Sequence, residues 1–239
     1  MTDLLVERRD AVAVLTLNRP TARNALTSNL ATALTDALNS AERDDDIRVV
    51  VLTGSGSAFC AGLDLTEFSA PDAPRHVVGA AINRVQSFGK PLIGAINGPA
   101  VTGGLELALA CDTLIASPAA AFRDTHLKIG ALSGTGVAVH LPRAVGGGWA
   151  RRMALSGDVL GADVALQLGF VTEIVSPQDL VQRACELAER MAAMDPTLAR
   201  TVKKLYQKIT SQQAAEGLAL EREALMNQRE HRSGWRVDR

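Results

Sequence analysis

One recurrence limits most strongly what this chain can fold into. A short apolar run, a glycine turn, a loop of small residues and a helix-like stretch occur in that order at 49–68 and again at 92–110. Val49–Thr53 and Leu92–Asn97 have the unbroken apolar character of strands buried on both faces. Gly54-Ser55-Gly56 closes the first and Gly98-Pro99 the second. Repeated strand–turn–helix units of this kind make a mixed α/β fold.

The remaining pattern agrees. Residues 4–17 read as two short strands around Arg9-Asp10, ended by Asn18-Arg19-Pro20. Thr27 caps a helix with Leu30, Leu34 and Leu38 on one face. A helix is expected over Pro74–Phe88, another from Gly103-Gly104 through Ala110, and a strand over Thr113–Ala116. Helices are expected at 134–141, 147–156 and 161–168, with a short strand at 171–175. From Pro177 the chain reads as helical, interrupted at Asp195-Pro196 because proline cannot continue a helix. The expected division is a core over 1–175 and a helical C-terminal region over 176–239, both serving one functional unit.

Composition excludes some functions. Lys and Arg total 25 against 26 Asp and Glu, a net charge of −1, so nucleic acid is not the expected partner. The three cysteines, Cys60, Cys111 and Cys185, form neither a disulfide framework nor a Cys-x-x-Cys pair. His76, His126, His140 and His231 show no metal-ligand spacing, and no metal is expected. Met1-Thr2-Asp3-Leu4-Leu5 runs into Glu7 and Arg8 without a signal-peptide core. No apolar run approaches the roughly 20 residues of a membrane span. The expectation is a reduced, cytoplasmic protein. Gly-x-Ser-x-Gly and P-loop patterns are absent from the sequence, and Gly134-Thr135-Gly136 lacks the third glycine of a dinucleotide fingerprint.

Two segments carry chemistry. Phe59-Cys60-Ala61-Gly62-Leu63-Asp64-Leu65 follows a buried strand, and its small residues permit close approach of another backbone or a ligand. In Asn97-Gly98-Pro99-Ala100-Val101-Thr102-Gly103-Gly104-Leu105-Glu106-Leu107 a glycine pair opens a helix whose first N–H groups lack internal partners. Taken singly, the first segment reads as a tight turn and Glu106 as a helix-start carboxylate paired with Thr102 or Gly103.

Taken together, in this order, and followed by Cys111-Asp112, they resemble the enoyl-CoA hydratase/isomerase (crotonase) family. Leu17-Asn18-Arg19-Pro20, Asn24-Ala25-Leu26, Leu141-Pro142-Arg143, Ala144-Val145-Gly146, Leu155-Ser156-Gly157-Asp158 and the run 165–171 extend the resemblance over nearly the whole chain. The resemblance implies a crotonase-like α/β fold, the ClpP/crotonase spiral of β–β–α units with a helical C-terminal region, assembled as a homotrimer or dimer of trimers. It implies an acyl-CoA thioester substrate, with coenzyme A present only as part of it and no separate cofactor.

By the same resemblance the N–H groups of Ala61 and Gly103 form an oxyanion hole. Two fixed donors stabilise the negative charge that develops on a thioester oxygen during enolate formation. Ala22, Arg23, Leu26, Ala61, Gly62, Leu63, Asp64 and Gly103 match positions that bind the CoA ester. Glu106 matches the first of two catalytic glutamates. His126 stands where the second is expected, within Phe122-Arg123-Asp124-Thr125-His126-Leu127-Lys128-Ile129-Gly130. His126 is either a replacement acid–base group or a pocket residue bonded to Asp124 or Thr125. Lys203-Lys204 is either a CoA-phosphate contact or a solvated helix face, and Asp112 reads as structural. The C-terminal Glu230–Arg236 lacks the aromatic-x-x-Lys-Arg ending common in the family. The leading expectation is an enoyl-CoA hydratase. The alternatives are a Δ3–Δ2 enoyl-CoA isomerase using Glu106 alone, and a low-turnover acyl-CoA-binding homologue.

Overall fold

The fold was determined as a computed structural model that describes residues 2–70 and 73–230. His231 and the C-terminal ending lie outside the described residues. Nine strands and eight α-helices alternate along them, with one 3₁₀ turn at Pro20–Ala22. In chain order they are β1 (Leu4–Arg9), β2 (Val12–Leu17), α1 (Ser28–Arg43), β3 (Val49–Gly54), α2 (Leu65–Phe68), α3 (His76–Gln86), β4 (Leu92–Ile96), β5 (Pro99–Val101) and α4 (Gly103–Ala110). They continue with β6 (Thr113–Ala116), β7 (Ala121–Arg123), α5 (Val137–Ser156), β8 (Val159–Gly161), α6 (Ala162–Gln167), β9 (Glu173–Ile174), α7 (Leu180–Ala192) and α8 (Pro196–Glu230).

Six strands form one sheet in the order β1-β2-β3-β4-β6-β9, antiparallel only between β1 and β2. The side-chain period of two then assigns the faces. Val12, Val14, Val49, Val51, Ile93, Ala95 and Ile115 pack against Leu180, Ala184, Cys185 and Ala188 of α7. Leu15, Val50, Leu52, Ile96, Leu114 and Ala116 face the opposite core with Leu30, Leu34 and Leu38 of α1 and Val78, Ile82 and Val85 of α3. Because both faces are covered, β3 and β4 are buried along their whole length, whereas the edge strand β1 is mostly exposed. Truncating a fully buried residue such as Leu52 to alanine would cost about 2–5 kcal/mol.

A second sheet, β5-β7-β8, stands at the end of the first and was not foreseen. Its strands have three residues each, too short to leave a periodic signature. It nevertheless sets the site, because β5 feeds α4 directly and β7 feeds the loop that carries His126. The two helices expected at 134–141 and 147–156 are both present, as the two halves of α5, separated at Gly146, whose φ of 77° and ψ of 152° are non-helical. Thr27 caps α1 as expected, its hydroxyl accepting from the Leu30 N–H at 3.2 Å.

Lys203 corrects an expectation. It is neither solvated nor turned toward a phosphate site. Its ammonium is buried and donates to the Lys90 carbonyl and to Asp112 Oδ2, both at 2.7 Å. Asp112 also accepts the Leu92 N–H at 2.7 Å, so its structural role holds. These bonds moor the base of α8 to the entrances of the interior strands β4 and β6. No helix of the described residues is long and apolar enough to cross a membrane.

Candidate active site

The site lies where the two recurring units meet. The α4 helix opens on Gly103-Gly104, and at Gly104 nothing larger fits. A Cβ on Gly104 would stand 2.1 Å from the Cys60 carbonyl oxygen. Gly62 has φ of +92°, and a Cβ there would come within 2.9 Å of the Val101 carbonyl. The loop after β3 is therefore pressed against the start of α4. Asn24, fully buried at φ 56°, pins the loop from outside. Its side-chain amide donates to the carbonyls of Ser55, Ala58 and Phe59.

This packing decides which N–H groups face the site. The Leu26 N–H donates to Gly62 O at 2.7 Å, and the Asp64 N–H donates to Leu26 O at 2.9 Å. In this parallel bridge the intervening Leu63 turns its N–H away from the Leu26 strand. Among the described residues neither the Leu63 nor the Gly103 N–H has an acceptor. Ala61 does not fit the donor role expected from the sequence. Its N–H is already committed to the Arg23 carbonyl at 3.0 Å. The pair of unpaired donors is Leu63 and Gly103.

Glu106 sits on the first turn of α4 and is 5% exposed. It makes no capping contact with Thr102 or Gly103. Its Oε1 accepts hydrogen bonds from Ser133 Oγ at 2.8 Å and Thr135 Oγ1 at 2.6 Å. Burying a carboxylate requires such donors. His126 Nε2 lies 3.6 Å from the same oxygen. Oε2 has no protein partner among the described residues.

His126 is held from behind. Its Nδ1 is 2.7 Å from Asp124 Oδ1, which also accepts the His126 backbone N–H at 3.0 Å. Burial disfavours the imidazolium, but the Asp124 hydrogen bond and the charges of Glu106, Asp124 and Glu221 together outweigh it and raise the His126 pKa above its usual range. Asp124 is buried too, yet its bond to His126 holds its carboxyl below the ordinary carboxylate range. Thr102 fixes this loop relative to α4. It has φ 52° and ψ −105°, donates its N–H to Arg123 O at 2.9 Å, and bonds through its hydroxyl to Thr125.

Other expected residues take different places. Leu26 is buried beneath the loop, whereas Ala22 and Arg23 lie at the rim, with Arg23 exposed. Asp64 caps α2 through the Thr66 N–H and pairs with Arg19 at 2.9 Å, a scaffolding role. Burial would raise its pKa, but the Arg19 partner and these N–H groups lower it.

Sequence reasoning did not single out Ser133, Thr135 or Glu221. Glu221 reaches in from α8 and accepts the N–H groups of Gly136 at 2.7 Å and Ala138 at 2.8 Å, capping α5 beside the site. Burial raises its pKa, with the nearby Glu106 charge adding to the effect. No local motif marks a contact across 85 residues.

The enoyl-CoA hydratase/isomerase family model matches residues 7–235. The chain belongs to this family. Among family relatives, the 2,3-dehydroadipyl-CoA hydratase of Escherichia coli is 38% identical over 232 residues, covering 93% of this chain and 89% of that protein. The (E)-benzylidenesuccinyl-CoA hydratase of Thauera aromatica is 39% identical, covering 83% of this chain and 80% of its own. The crystal structure of an enoyl-CoA hydratase from Mycobacterium smegmatis superposes with a TM-score of 0.87 at 44% identity, covering 96% of this chain and 99% of that one. The crotonase fold expected from the sequence is thus the observed one.

Proposed function

We propose that this family member is an enoyl-CoA hydratase, adding water across the 2,3 double bond of an acyl-CoA thioester. One observation carries the reading. The unpaired Oε2 of Glu106 sits on the same helix turn as the free Gly103 N–H, with His126 Nε2 beside the carboxylate. The hydratase names of the relatives support it over the isomerase alternative.

The chemistry assigns each group a task. Gly103 and Leu63 N–H groups receive the thioester oxygen as it gains charge. Each such donor contributes roughly 2.7–4 kcal/mol to the transition state. Glu106 Oε2 takes a proton from the attacking water, while Ser133 and Thr135 hold Oε1 still. His126 is the second acid–base group, delivering a proton at C2. The sum is H and OH from one water, so no cofactor or metal enters the balance. Ala22 and Arg23 border the CoA arm.

Assembly as a homotrimer or dimer of trimers belongs to the same reading. It is supported by the exposed apolar row Leu198, Val202, Leu205 and Ile209 along α8. A cytoplasmic setting is supported by three free cysteines. The deciding experiment offers 2-enoyl-CoA and 3-enoyl-CoA esters of several chain lengths and identifies products by mass. Formation of 3-hydroxyacyl-CoA is expected. Double-bond migration without hydration would assign the isomerase instead, and tight binding without turnover would leave a binding protein.

A further inference from the structure

The hydration steps leave one buried carboxylate unused. Asp124 Oδ1 lies 2.7 Å from His126 Nδ1. An ionised carboxylate only accepts hydrogen bonds, so the proton of that contact sits on Nδ1. In a neutral ring Nε2 would then be bare. A bare Nε2 would face Glu106 Oε1 at 3.6 Å, acceptor against acceptor. Only the imidazolium presents a donor on both sides.

The surrounding charges agree. Asp124 on its own loop, Glu106 on α4 and Glu221 on α8 all favour the charged ring, against its burial. Two cations lie on the side toward Ser156 and Gly157: Lys128, which lines a cavity of about 220 Å³ with Asp124, and Arg123, which donates to Gly157 O at 2.6 Å.

We propose that Asp124 is a positioning residue that keeps His126 as the imidazolium and aims Nε2–H into the site, so that the acid of the reaction is a nitrogen acid backed by a carboxylate. The catalytic part of this inference rests on the hydratase reading. The water oxygen bonds to C3 as its proton passes to Glu106, and the double-bond electrons move onto the thioester oxygen as an enolate. The enolate collapses as C2 takes the Nε2 proton. His126, now neutral, recovers the proton held on Glu106 Oε2 by relay through a water, because the 3.6 Å between Nε2 and the carboxylate is longer than a hydrogen bond. Both groups return to their starting states without a further reactant.

The test uses the full chain in two readouts. Labelled-histidine NMR titration, with His126 assigned through His126→Gln, should place the wild-type His126 pKa above ~6.5, the unperturbed value. Asp124→Asn should lower it by about 1–3 units, the usual reach of a neighbouring opposite charge. The basic limb of the 2-enoyl-CoA hydration profile should move to lower pH by the same amount, because activity needs the protonated ring and is lost as pH rises through its pKa. KM should change little.

A wild-type His126 pKa at or below ~6.5 would overturn the proposal, even if Asp124→Asn does not fold. So would a folded Asp124→Asn with an unmoved His126 pKa. If no 2-enoyl-CoA is hydrated by the wild type, the functional reading falls while the titration still decides the Asp124–His126 pairing.

Discussion

The two walls of the site are built on different principles. The wall formed by 60–64 and the start of α4 offers backbone N–H groups, positioned by glycines that tolerate no Cβ. The wall formed by 124–135 offers side chains in a closed polar network: Asp124, His126, Ser133 and Thr135 around Glu106. The backbone donors of the first wall do not titrate, so their contribution should be constant with pH. The second depends on protonation. The first should break sterically and the second chemically.

Four variants test that contrast. Glu106→Gln has the largest expected effect, a fall in kcat of about 10²–10⁴-fold, the worth of a positioned acid–base group. CoA-ester affinity should stay within severalfold by calorimetry. A variant retaining half of wild-type kcat would remove Glu106 from the mechanism. Gly104→Ala comes next. Its Cβ would displace the Cys60 carbonyl and with it the Leu63 donor, costing roughly 10²–10³-fold in kcat at every pH. A folded variant with unchanged kcat would show that the close approach is dispensable.

The paired change Ser133→Ala with Thr135→Val removes two donors to Glu106 Oε1. A hydrogen bond to a charged group is worth about 1.5–3 kcal/mol. Most of that is felt by ground and transition states alike, so kcat should fall only about tenfold. An altered pH profile should accompany the loss, and a profile identical to wild type would count against the network. Leu63→Ala should matter least, because the donor is the backbone N–H. Steady-state kinetics should show kcat within a few-fold, and a loss comparable to Gly104→Ala would mean that the side chain, not the N–H, holds the substrate.

The contrast also explains what the sequence revealed. Glycines at 62 and 104 are visible because only one residue type satisfies the geometry. The buried strands β3 and β4 are visible because both faces are covered. The identity of the donor was not visible. Ala61 and Leu63 are two residues apart in one loop, and only the Arg23 carbonyl and the Leu26 bridge decide which N–H is free. The second wall was partly visible, since His126 could be placed by its position in the loop. Its setting could not, because the Glu106 contacts span 20 to 29 residues and Glu221 arrives from the far end of the chain. Lys203 misled for a related reason. A lysine on a helix reads as solvated until the packing of that helix against Lys90 and Asp112 is known.

The backbone of Thr102 has a consequence for how this enzyme can be improved. A β-branched residue at φ 52° occupies conformational territory that L-amino acids avoid, at a cost of about 1–3 kcal/mol. The cost is borne at the joint between the two walls, where its hydroxyl and N–H hold the His126 loop to α4. Glycine would relieve the strain and delete the hydroxyl that maintains the alignment. Selection for thermal tolerance alone and selection for turnover alone therefore pull this position in opposite directions.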